Sequence, residues 1–220
     1  MKLEETSEGI WHAIGNTAKE LGMSFLRPQE HYESPKFRGK IFSFDEFREW
    51  WIRNPPKGIK PGRFIYCNYY EGFNVPSHIL NPFFEGKFDP LSDEEKRLLE
   101  KVSKIDNEKF YLIGTRKNGS HEDIKHELGH GFYYTDPEYR KKVQAIMRKL
   151  DTESRKKIDK YLQDRDYHPS VFSDERQAYF LAGDNLKDAG IKLKEVLPVH
   201  LALNEVYQKV LFAKNNGGKK

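Results

Sequence analysis

The segment SHEDIKHELGHGFYY, from Ser120 to Tyr134, restricts the fold of this chain more than any other stretch. Ser120 stands three residues before Asp123, a capping-box pattern that predicts a helix start. Thr135-Asp136-Pro137 predicts its end and the start of the next helix, because proline suits a first helical turn and breaks an interior one. Such a helix carries His121, His126, His130, Glu122, Asp123 and Glu127, groups that a core accepts only when they are paired or bound. Gly129 leaves room for a second element to approach closely. The rest of the chain must therefore bring partners to this helix.

The remaining pattern predicts an α+β fold, with a small mixed sheet in the N-terminal half and a mainly helical C-terminal half. Ile10, Ile14, Ala18 and Leu21 recur at helical spacing and predict an amphipathic helix over 3–21. Ser43 with Glu46, and Ser92 with Glu95, open two further helices, the first ended by NPPKGIKPG. RFIYCNYY (63–70) and KFYLIGTR (109–116) predict strands, with KFRGKIFSF (36–44) as a third. YYEGFNVPSHILNPFFEG reads as one long aromatic loop whose residues 70–86 could gate a site or simply cap the sheet. Beyond Ser120 the pattern is helical almost to Phe212, and residues 215–220 are expected to fray. At 220 residues and 37% apolar content, 1–214 suits one domain. The net charge of +4 is mild and reads as solubility. A lone Cys67 excludes an internal disulfide, and neither a signal peptide nor an apolar membrane span is visible, so a cytoplasmic setting is expected.

His126 and His130 are four residues apart, so both imidazoles leave nearly the same face of a helix, where one cation can bind both. Glu127 between them completes an HExxH pattern, in which the glutamate stands beside the metal and takes a proton from the water the metal activates. His121 with His126 is a poorer pair, since five residues turn a helix about 140° past a full turn. A zinc site asks for a third protein ligand and leaves a fourth position open. His168, His200 and downstream carboxylates are the candidates. Ser173 is a plausible cap for a helix whose first turn carries Asp174 and Glu175, with Ala178 small enough for tight packing against the histidine helix. Glu175 is the first choice and Asp174 the second.

With these residues in place, His126, Glu127 and His130 followed by Glu175 in an E-x-x-A setting resemble the gluzincin zinc metallopeptidases. Among these the chain is most similar to the catalytic domain of the anthrax lethal factor type and to the clostridial proline-specific endopeptidases. The resemblance covers roughly 109–183. It implies one Zn2+ per chain held by His126, His130 and Glu175, with Glu127 as general base on a protein or peptide substrate. It also implies a tyrosine ahead of the ligand glutamate that supports the oxyanion. Tyr167 holds about that place, one residue further from the glutamate, with His168 beside it as second choice. ERQAYFLAG departs from the family's ExFAEAF-like continuation.

Three readings compete. The first is a zinc endopeptidase, and a hydrolase of another bond using the same metal is a variant of it. The third is a non-proteolytic zinc-binding regulatory protein that meets nucleic acid through the basic helices YRKKVQAIMRKL and ESRKKIDKYL. Those helices also carry acids and read better as solvated faces, so neither nucleic acid nor membrane is the expected partner. His200 among apolar neighbours reads as a satisfied core histidine. Tyr133, Tyr134 and Tyr179 read as packing residues. KFYLIGTR could be the edge on which an extended peptide adds as a strand. Oligomeric state is left open.

Overall fold

A computed structural model describes residues 1–183 and 185–217. In chain order the elements are β1 (Lys2–Ser7), β2 (Ile10–Gly15), α1 (Ala18–Glu33), α2 (Phe44–Arg53), α3 (Tyr66–Tyr69) and β3 (Gly72–Pro76). There follow α4 (Asn81–Phe84), α5 (Asp93–Val102), β4 (Tyr111–Arg116), α6 (His121–Thr135) and α7 (Pro137–Met147). α8 (Thr152–Asp164), α9 (Phe172–Ala182) and α10 (Leu197–Gly217) complete the described residues. The end of the tail expected to fray, 218–220, lies outside them.

The four strands form one mixed sheet in the order β1-β2-β4-β3, with β2 and β4 parallel and the other pairs antiparallel. Successive strand residues point to opposite faces, and both faces are covered. Ile10, Tyr111 and Ile113 pack with Leu128 and Phe132 of α6 on one side. Ala13, Leu112, Phe73 and Val75 pack with Leu21 and Phe25 of α1 on the other. The α+β arrangement matches the sequence reading, with the C-terminal helices gathered behind α6. No helix among the described residues is long and apolar enough to cross a membrane.

Several local expectations are corrected. Residues 3–21 are a β-hairpin followed by a helix start, because Gly9 at φ 71° turns the chain and Thr17 caps α1. A spacing of four satisfies both the helical and the strand period, so Ile10 and Ile14 did not discriminate. Residues 63–70 form no strand: Tyr66 anchors the short α3 and is fully buried, with its ring 5.4 Å from that of Phe47. Residues 36–44 form turns that bring Phe37 and Phe42 together at 4.5 Å. The 70–86 stretch is not a loop but contains β3, a 3₁₀ turn at Ser77–Leu80 and α4. KFYLIGTR does form β4, yet as an interior strand, and the sheet's edges are β1 and β3. In all of these, aromatic and β-branched content reflects burial, which turns and helices share with strands.

Helix α1 is tied to α5 by a buried ion pair. The Arg27 Nε donates to Glu95 Oε1 at 2.7 Å, and its Nη1 donates to the Phe88 carbonyl at 2.8 Å. Both side chains are almost fully enclosed. Removing one partner strands the other charge in a dry environment, which costs about 3–5 kcal/mol. Arg27→Met is therefore expected to lower unfolding free energy by that order in urea titrations at neutral pH, and a loss below about 1 kcal/mol would contradict the account.

Candidate metal centre

α6 lies on the sheet, and the Ser120–Asp123 capping box fixes where it starts. α9 packs closely against it. A Cβ placed on Gly129 would meet Leu181 Cδ2 at 2.9 Å, and Ala178 is fully enclosed. α9 begins at Phe172, continuing a 3₁₀ turn at Pro169–Val171, so Ser173 is not its cap. Ser173 lies inside the helix, its hydroxyl 3.1 Å from that of Tyr133.

This helix pair brings three ligand-type side chains to one point. The Nε2 atoms of His126 and His130 are 3.1 Å apart. Glu175 places Oε2 3.8 Å from the first and Oε1 3.6 Å from the second. One donor atom from each of the three lies within 4.8 Å of the others. Asp174 does not join them: its Oδ1 is 2.9 Å from His130 Nδ1, on the other side of the ring. A carboxylate there fixes the imidazole's orientation and raises its basicity. The set fits a single divalent cation such as zinc on chemical grounds, because two nitrogens and a carboxylate converge and buried Glu175 Oε2 has no hydrogen-bond partner.

Glu127 is buried beside this point, with its Oε2 also unpartnered among the described residues. Burial pushes its carboxyl up to about 8, with His130 pulling it down and Glu175 adding to the rise. Burial likewise raises Glu175 and, with the charge of Glu175, Glu33. For His130 burial works downward, but Asp174 and Glu175 outweigh it and lift the imidazole to about 10. His126 is held well below the ordinary histidine range by burial and by the His130 charge.

A cleft of about 200 Å³ opens at the site, lined by His126 and Glu127 and also by Tyr167, Tyr179 and Arg165. The Tyr179 ring meets that of His126 edge-on at 4.8 Å. Burial and the charge of Glu175 raise the Tyr167 hydroxyl well above its ordinary range. His168 is turned away from the cleft: its Nδ1 accepts from the Ser170 amide at 3.2 Å and caps the 3₁₀ turn. His121 is exposed at the helix start, and His200 Nδ1 bonds the Phe180 carbonyl at 2.9 Å.

Sequence reasoning missed Gly72, Asn74 and Arg165. Gly72 lines the cleft, and a Cβ there would overlap Glu127 Oε1 and stand 2.9 Å from its Cδ. The Asn74 side chain accepts from the Tyr111 hydroxyl at 2.6 Å and favours the ionised form of Glu127. Only the glycine after the aromatic run hinted at a close approach. No protein-family model, curated protein or solved structure matches the chain significantly.

Two outcomes follow from the site. Unfolded, a histidine loses its proton near 6.5 and a glutamic acid near 4.5, whereas folded His130 holds it to about 10, Glu127 to about 8 and Glu30 to about 7. Between pH 6.5 and 10 the folded, metal-free chain therefore binds more protons than the unfolded one, so its stability falls as pH rises. Urea midpoints of chelator-treated protein across that window should decline steadily and flatten when zinc is added. In competition with a chromophoric chelator, Asp174→Ala should weaken zinc binding about tenfold. Glu175→Ala should weaken it clearly more, and the opposite order would move the ligand to Asp174.

Proposed function

We propose that the chain is a zinc-dependent endopeptidase of the gluzincin kind, acting on a protein or peptide with His126, His130 and Glu175 as the metal ligands. The observation that carries this reading is Glu127, a buried carboxyl beside the ligand triad and open to the cleft. Among the described residues the ligand group has three members, whereas a purely structural zinc site closes with four. That difference favours turnover over a regulatory metal fold.

Zinc bound here would lower the pKa of water and polarise a carbonyl oxygen. Glu127 then takes the water's proton at its carboxylate and delivers it to the nitrogen of the departing amine. Tyr167, which lines the same cleft, carries the hydroxyl proposed as donor to the developing oxyanion.

The strand edge next to the cleft gives a place for an extended substrate. Ser77 N donates inward to the Phe110 carbonyl, while Asn74 N turns outward to Gln29 Oε1 at 3.0 Å. Gly72, two residues from Asn74, shares its outward phase. A peptide adding alongside β3 would meet the Gly72 backbone at the cleft, where it can align over Glu127. A cytoplasmic setting belongs to the same reading, since Cys67 is a free thiol.

The test combines elemental analysis with cleavage of a mixed peptide library. Wild type should hold one zinc per chain and cut the library. Glu127→Gln should keep the zinc and lose about 10²- to 10⁴-fold in rate, and His126→Ala should lose the zinc. A Glu127→Gln protein as active as wild type would reject the general-base role, and no zinc in wild type after metal addition would reject the reading.

A further inference from the structure

Arg165 is the cation in the cleft wall that the peptidase reading does not use. It ends α8, and Asp166, at φ 63°, turns the chain sharply so that both Arg165 and Tyr167 line the cleft. A non-glycine residue in the left-handed region costs conformational energy that the surroundings must offset. The corner is thus held by its contacts.

The guanidinium is kept in place by aromatic rings. Its Cζ lies 5.2 Å from the Tyr69 ring centroid and 5.4 Å from that of Tyr161. Nη1 donates to the Tyr161 hydroxyl at 3.2 Å. Nε is buried with no acceptor, and no ion pair joins Arg165 to any carboxylate among the described residues. Guanidinium carries five N–H donors in a planar fork, so most of that capacity is unspent. Its charge nevertheless reaches the site, pulling down both Glu175 and His126.

The charge pattern around it is selective. Glu122 and Glu71, the latter ion-paired with Arg116, are exposed and line the same cleft with Asp123, whereas Arg165 sits half-buried. An anion approaching from solvent is repelled by these acids, unless it is carried on a chain that other contacts hold in the cleft. Tyrosines packed against a partly desolvated fork with no carboxylate partner among the described residues suit a planar carboxylate, which takes two parallel hydrogen bonds from such a group.

We propose that Arg165 is the specificity anchor for a carboxylate of the bound peptide, positioned near the scissile bond. The proposal deepens the peptidase reading and rests on it for the identity of the ligand as a substrate. The carboxylate has two possible sources, a C-terminal α-carboxylate or an acidic side chain, and one experiment separates them.

The probes are Ac-Ala-Phe-Ala-Ala as the free acid, its C-terminal amide, and the amide with one alanine replaced by aspartate. Binding is measured by calorimetry on the full zinc-loaded chain in a Glu127→Gln background, so that no probe is consumed. One of the two charged probes should bind about tenfold or more tightly than the neutral amide, as expected for a charge-assisted bidentate contact. Preference for the free acid identifies the α-carboxylate, and preference for the aspartyl amide identifies the side chain. Arg165→Gln should abolish the preference while zinc content and far-ultraviolet circular dichroism stay unchanged, and Arg165→Lys should retain part of it. Equal binding of all three probes overturns the anchor whether or not either variant folds. So does a preference that survives Arg165→Gln, which would place the carboxylate on the metal. Loss of zinc in a folded Arg165→Gln would make the residue a support for Glu175 and overturn the proposal as well. Failure of the peptidase reading is distinct, because it appears as missing zinc or missing turnover in the wild-type protein.

Discussion

Everything at the site depends on how closely α9 lies against α6. Gly129 has no room for a Cβ because Leu181 fills that space, and Ala178 faces the same seam without bulk. Glu175 sits one turn before Ala178, so the approach that buries these small residues also carries the carboxylate to the two histidines. Apolar contact and the gathering of the three ligand-type side chains are thus consequences of a single interhelical distance. A side chain that pushed the helices apart would loosen both together.

The charged groups gathered there would be costly in an ordinary interior. Asp174 offsets part of that cost by holding His130 on the nitrogen that faces away from the site. Asn74 does the same for Glu127 from the sheet side. What remains is a group of carboxyls that burial drives toward the neutral form, Glu33 near Glu175 among them, so that an excess of negative charge arises only as they ionise. A bound cation answers that excess directly, and its binding free energy would then be part of the stability of this half of the molecule.

The legible part of this architecture was the part written in local chemistry. Ser43, Ser92 and Ser120 cap helices through hydrogen bonds that depend only on residues three positions away, and all three helices start where those residues placed them. The spacing of His126 and His130 on one helix face is equally local. The strands were harder because apolar residues four apart obey both periods, and because Tyr66 and Phe37 serve aromatic clusters assembled from distant segments. Arg165 and Gly72 carried almost no signal, since what matters about each is what stands opposite it across the cleft. His168 shows the converse: it looked chemically apt in the sequence, but a two-residue hydrogen bond to Ser170 turns it aside.

The Gln29 amide that meets the outward N–H of Asn74 has an effect beyond the site. An open strand edge is a template on which any extended chain can polymerise, and β3 is such an edge, rich in apolar residues. By meeting the strand two residues from Gly72, α1 covers part of that edge, and with residues 73–76 buried little of it is open to another chain. Any pairing along β3, by a guest peptide or by a second copy of the protein, would be confined to the neighbourhood of Gly72.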